Sequence, residues 1–186
     1  MSKTKKLLIA AVCLVAILTT AVVGTIAWLT DKTETVKNTF SPSNIGITLE
    51  EASFNGKMVP GTEIDKVATV AVTNDIDCYV FIEVAKSENL GTFIEYAMAT
   101  GWTLVPEQTN VYYREVAANA TEKTFSVLAN NKVTVKSSVT KSDMATLSDN
   151  TKYPTLSFTA FACQKAGFAT PAAAWAEAKT LRTPTN

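Results

Sequence analysis

The side chains able to do chemistry are few in this chain, and the most informative is one that is missing. Among 186 residues there is no histidine, so a Ser-His or Cys-His nucleophilic pair and a His-x-x-x-His zinc helix are both excluded. Three cysteines stand at 13, 78 and 163. Cys78 and Cys163 lie far apart in the chain, and their even number permits either one bridge or two buried free thiols. Asp75-x-Asp77, beside Asn74, offers oxygens of the kind calcium accepts, and it equally fits a turn whose side chains cap local backbone groups. No other metal site is expected. Glu50-Glu51 has no acid/base spacing across a substrate, and Tyr112 and Tyr113, which with Trp102 are the residue types of a sugar platform, point to opposite faces of any strand. No catalytic residue and no cofactor follow from this inventory, and the expectation is that the protein is not an enzyme.

Charge narrows the partners. Lys and Arg number 17, Asp and Glu 17, and no basic block stands in the body of the chain, so a nucleic-acid surface is not expected. Lys3, Lys5 and Lys6 precede an apolar run over residues 7–23. That run ends in Gly24-Thr25-Ile26-Ala27, which sets Thr25 and Ala27 at the minus-three and minus-one positions of a signal-peptidase site cutting before Trp28. The competing reading is a retained anchor, since the stretch is long enough to span. The membrane is thus a partner only through the uncleaved signal. Removing Lys3, Lys5 and Lys6 from the balance of 17 and 17 leaves residues 28–186 three charges negative, which suits solubility outside a cell.

The elements that must position these residues are strands. Ile45, Ile47 and Leu49, then Ala68, Val70 and Val72, then Cys78, Val80, Ile82 and Val84 alternate with period two, the pattern of half-buried strands. Residues 94–98, 102–105, 111–116, 124–128, 132–139 and 155–164 are further candidates, separated by turn signals such as Pro60-Gly61, Asn74-Asp75 and Asn130-Asn131. Residues 93–98 fit a short helix as well. About nine short strands predict an all-β, antiparallel two-sheet sandwich. One helix is expected near the C-terminus, with Thr170 as cap, Pro171 in the first position and an alanine-rich body in which Trp175 packs on the sandwich.

Three segments follow: a signal peptide at 1–27, an extended arm at 28–44 and a β domain at 45–186. The arm is rich in threonine and poor in apolar residues. It has strand propensity with little of its own to bury, so it reads either as a spacer or as a strand that adds to a sheet edge, anchored by Trp28, Leu29, Val36 and Phe40.

Gly24-Thr25-Ile26-Ala27-Trp28-Leu29-Thr30-Asp31 with Asn38-Thr39-Phe40 closely resembles the signal junction of the TasA/camelysin family of secreted bacterial biofilm-matrix proteins. Pro60-Gly61-Thr62-Glu63-Ile64-Asp65-Lys66, Val70-Ala71-Val72-Thr73-Asn74 and Tyr79-Val80-Phe81-Ile82 resemble its later segments. Residues 158–168 with Ala174-Trp175 are similar to the C-terminal strand and helix of small exported relatives. The resemblance implies a jelly-roll-like sandwich, export by a Gram-positive cell through a SipW-type signal peptidase, and location in the extracellular matrix or at the cell surface. It also implies a homo-oligomer or fibre, built with itself or with related matrix proteins, in which one subunit's arm is donated to the next. The metallopeptidase activity ascribed to camelysin relatives has no histidine ligands to draw on here. The alternative from another class is a monomeric surface module that binds carbohydrate or a host protein. The C-terminus carries no Leu-Pro-x-Thr-Gly sorting motif.

Overall fold

The computed structural model describes residues 43–52 and 57–182, with side chains through residue 180. Among these, ten strands and three short helices follow in the order β1 (Ile45–Glu51), β2 (Glu63–Asp65), β3 (Ala68–Asn74), β4 (Cys78–Lys86), α1 (Leu90–Phe93), β5 (Ile94–Glu95), β6 (Thr103–Leu104), β7 (Val111–Val116), β8 (Thr124–Ser126), β9 (Lys132–Val135), α2 (Lys141–Thr146), β10 (Leu156–Gln164) and α3 (Pro171–Ala178). The protein is an all-β antiparallel sandwich with one short C-terminal helix.

The pairing is antiparallel throughout and falls into three sheets, with strand orders β1-β3-β8, β10-β4-β7-β6 and β2-β9-β5. The two three-stranded sheets share a core with one face of the four-stranded sheet. Val70 and Val72, then Ile64, Val133 and Val135, meet Val80, Ile82, Val84 and Phe158 there. The expected pair of layers is therefore present, with one layer split into two hydrogen-bonded pieces.

The other face of the four-stranded sheet is covered as well. Thr170 caps α3 by accepting the Ala173 N–H, and Pro171 opens it, so Trp175 and Ala178 are turned down onto Tyr79, Phe81, Val111 and Phe161. The Trp175 ring lies 5.4 Å from Phe81 and 5.1 Å from Phe161. That second layer explains why Cys78, Tyr79, Val80, Phe81 and Ile82 are all buried, where alternation alone predicts a half-buried strand.

Several expected strands are shorter. Residues 94–98 resolve into α1 ending at Phe93 and a two-residue β5, with Met98 bridging Leu128 alone. The 132–139 segment stops pairing at Val135, and 102–105 pairs only through Thr103 and Leu104. At Pro60-Gly61 the glycine takes φ +78°, the left-handed value of a type II turn, and its N–H donates to Val135.

Candidate assembly surface

Two long strands end their sheets. β10 pairs with β4 from Leu156 to Gln164, and β1 pairs with β3 from Ile45 to Glu51, each on one side alone. The edges β2, β5, β6 and β8 have two or three residues each, which is the usual protection against stray pairing. β10 lacks that protection: Leu-Ser-Phe-Thr-Ala-Phe-Ala-Cys-Gln contains no charge, no proline and no glycine.

The backbone direction can be read from the ladder ends. Lys165 N–H donates to Asp77, and the Thr155 carbonyl accepts Ser87 N–H. Antiparallel pairing alternates inward and outward groups. The odd residues of β10 therefore face β4, while Leu156, Phe158, Ala160, Ala162 and Gln164 turn N–H and C=O to the free edge. On β1, the Asn44 carbonyl accepts Asp75 N–H and Ala52 N–H donates to Val67, so Ile45, Ile47, Leu49 and Glu51 point outward. These two edges run side by side, with Cα atoms within 8 Å, yet no ladder joins them. Ile45, Ile47, Leu49, Leu156 and Ala160 are only partly buried along this seam.

At the Leu156 end the seam runs into an apolar cleft of about 240 Å³, lined by Met58, Leu90, Ile94, Val133, Pro154 and Leu156, with Lys66 and Thr155 on its wall. Lys66 pairs with Glu51 at 2.7 Å and lies 5.4 Å from the Phe158 ring centre.

The opposite end of the seam is where β1 begins. Asn44 extends the β1 ladder by one pair: its N–H donates to Asp75 Oδ1 at 2.9 Å, and its carbonyl accepts Asp75 N–H at 3.3 Å. Asp77 Oδ1 accepts the Ala118 N–H at 2.9 Å. Both carboxylates thus hold backbone, as a turn requires, and among the described residues no three His, Cys, Asp or Glu side chains gather as metal ligands. The cation at this corner is Lys123, which sequence reading passed over. Its ammonium donates to the Asn74 and Ala118 carbonyls at 2.8 and 2.9 Å. Asn74, buried, donates through Nδ2 to Ile76, Val116 and Ala117.

The two cysteines do not bridge. Both are free thiols on neighbouring strands, but Cys78 pairs with Gln164 and Cys163 with Tyr79. A one-residue offset puts their side chains on opposite faces of the sheet. Burial pushes the Cys78 thiol up to about 11. Cys163 is raised too, again chiefly by burial, and its Sγ faces the Ala174 carbonyl at 3.7 Å.

The aromatic candidates serve packing. Tyr113 joins the α3 side and Tyr112 the central core, while Trp102 is buried and donates its Nε1–H to the Ser126 carbonyl at 2.8 Å. Arg114, also missed in the sequence, stacks 4.1 Å from Phe125 and 5.0 Å from Trp102. Alternation marked β1 and β10 as strands, but nothing local marks them as edges.

Thr25, Ala27, Trp28, Leu29, Val36 and Phe40, the expected cleavage and arm residues, lie outside the described residues. Among the described residues no helix is long and apolar enough to cross a membrane. Comparison with family models, with curated proteins and with solved structures gives no match.

Proposed function

We propose that this chain is a secreted structural subunit, freed by cleavage before Trp28, that assembles into an extracellular or biofilm-matrix fibre when its N-terminal arm adds as a strand to a neighbouring copy. The mechanism is association rather than turnover. The observation that carries the reading is the nine-residue, uncharged free edge of β10 in a domain whose other short edges are blunted. Further support comes from the resemblance at the signal junction and from the threonine-rich composition of residues 28–40, which favours extended backbone.

Deleting residues 28–40 from the secreted chain tests it. The expected result is loss of filaments in electron micrographs with a cooperative thermal transition retained. Filaments of normal yield from the shortened chain would sink strand donation by the arm, and a full-length secreted chain that stays a single particle at high concentration would favour a monomeric surface module with a spacer.

A further inference from the structure

We infer that the polar groove running past β5 binds an acidic saccharide chain, with a uronate carboxylate between Lys86 and Lys136 and sugar hydroxyls on Tyr96 and Tyr112. The site does not depend on assembly, since it uses neither the β1 edge, nor the β10 edge, nor the arm.

The sheet β2-β9-β5 builds the groove. Val133 and Val135 of β9 enter the core, so alternation turns Lys132 and Thr134 to the opposite face. Glu63 and Glu95 stand in register on either side of Thr134. That outward face is the floor of a cavity of about 320 Å³, where Glu63, Glu95, Tyr96, Asn130, Lys132 and Thr134 meet. A second cavity, of about 470 Å³, is walled by Lys86, Ile94, Tyr96, Met98, Tyr112 and Lys136, and so reaches from β5 to β7 and the end of β4. The two share Glu95, Tyr96 and Ala97, and they adjoin along that ledge. Both have the size of small-ligand sites, and together they suit more than one sugar ring.

The lining selects the occupant. An apolar ligand would desolvate ammonium, carboxylate and phenol groups at every step, whereas a polyhydroxylated one uses them as donors and acceptors and sets the apolar faces of its rings on Ile94 and Met98. The side chains of Lys86, Tyr96 and Tyr112 make no hydrogen bond to another described residue, and neither phenol oxygen is sealed from solvent. Burial first, and then the neighbouring Tyr112, hold the Tyr96 phenol above its usual value, so the two hydroxyls sense each other. Charge gives the sign of the ligand. Lys132 closes on Glu63 at 2.7 Å, which leaves Lys86 and Lys136 facing Glu95 alone in the larger cavity. The Lys136 ammonium is held on the wall by donating to the Gly91 carbonyl, with two N–H groups to spare. A carboxylate between the two lysines takes charge-assisted hydrogen bonds from both.

Titration calorimetry on the secreted chain tests the assignment, with tetragalacturonate as the probe and its methyl ester as the uncharged counterpart. The acid should bind. The methyl ester should bind about fivefold more weakly, and Lys86→Gln should weaken the acid by about as much, the effect of one exposed charge pair. Tyr96→Phe combined with Tyr112→Phe should also weaken it. Lys165→Gln, which alters a cation over Tyr79 on the α3 side of the sheet, should leave affinity unchanged. No binding of the acid at millimolar concentration overturns the site. Equal affinity for acid and ester overturns the carboxylate seat, and equal weakening by Lys165→Gln shows diffuse charge in place of a groove. Tighter binding of a glycerol phosphate oligomer than of the acid overturns the saccharide. Should a variant fail to melt cooperatively, the comparison of acid, ester and phosphate oligomer on the unaltered chain decides.

Discussion

Arg114 shows how one side chain can be both cation and packing group. Its guanidinium lies against Phe125 and Trp102 and donates Nη2–H to the Thr100 carbonyl at 2.5 Å. Burial holds its pKa below the usual guanidinium value, so the stack and the carbonyl contact compensate a desolvated charge. Arg114→Ala should lower unfolding free energy by about 1–3 kcal/mol, measured by urea titration, with the Trp102 emission shifting red as the ring becomes hydrated. Gly101 approaches the same guanidinium with φ +93°, and a methyl group there would strike Nη2. Cys78 gives a different residue-scale outcome. Its thiol is raised from 9.0 to about 11, so in alkali the unfolded chain loses this proton before the folded one does. The folded state binds more protons in that window, and stability falls as pH rises from about 9 towards 11. Cys78→Ala should flatten that part of the stability–pH curve, while below pH 8 the native thiol should resist alkylation until the protein is unfolded.

At the scale of elements, what was legible in the sequence depended on how much each element buries. β3, β4, β7 and β10 lie where the sequence predicts strands, and β3 alternates most clearly. β2 did not announce itself, because Glu63-Ile64-Asp65 offers one apolar residue and pairs only through tertiary contact with β9. α2 has no fully buried residue and packs only Met144 against the core, so it has no apolar periodicity. Its local mark is the capping box in which Thr140 accepts the Asp143 N–H and Asp143 accepts from Thr140. The bridge between Cys78 and Cys163 turned on a register offset of one residue, which no spacing reveals. The free edges of β1 and β10 are likewise properties of sheet order rather than of composition. α3, by contrast, was readable from Thr170, Pro171 and Trp175. Trp175→Ala should cost about 3–5 kcal/mol in chemical denaturation and detach α3 from Phe81 and Phe161, because the ring fills the space between them.

For the whole molecule, the layered order of helix, four-stranded sheet and split sheet leaves a dense polar cluster at the corner where Asn44 meets Asp75. There the Lys123 ammonium takes the place among carbonyl oxygens that a dissolved ion fills in many extracellular domains. A positive charge supplied by the chain cannot be washed out. Thermal transitions recorded in millimolar calcium and in excess chelator should therefore coincide, whereas Lys123→Met should lower both equally. A fold built this way would keep its form in rainwater and in brine alike, its rigidity indifferent to the hardness of the surroundings.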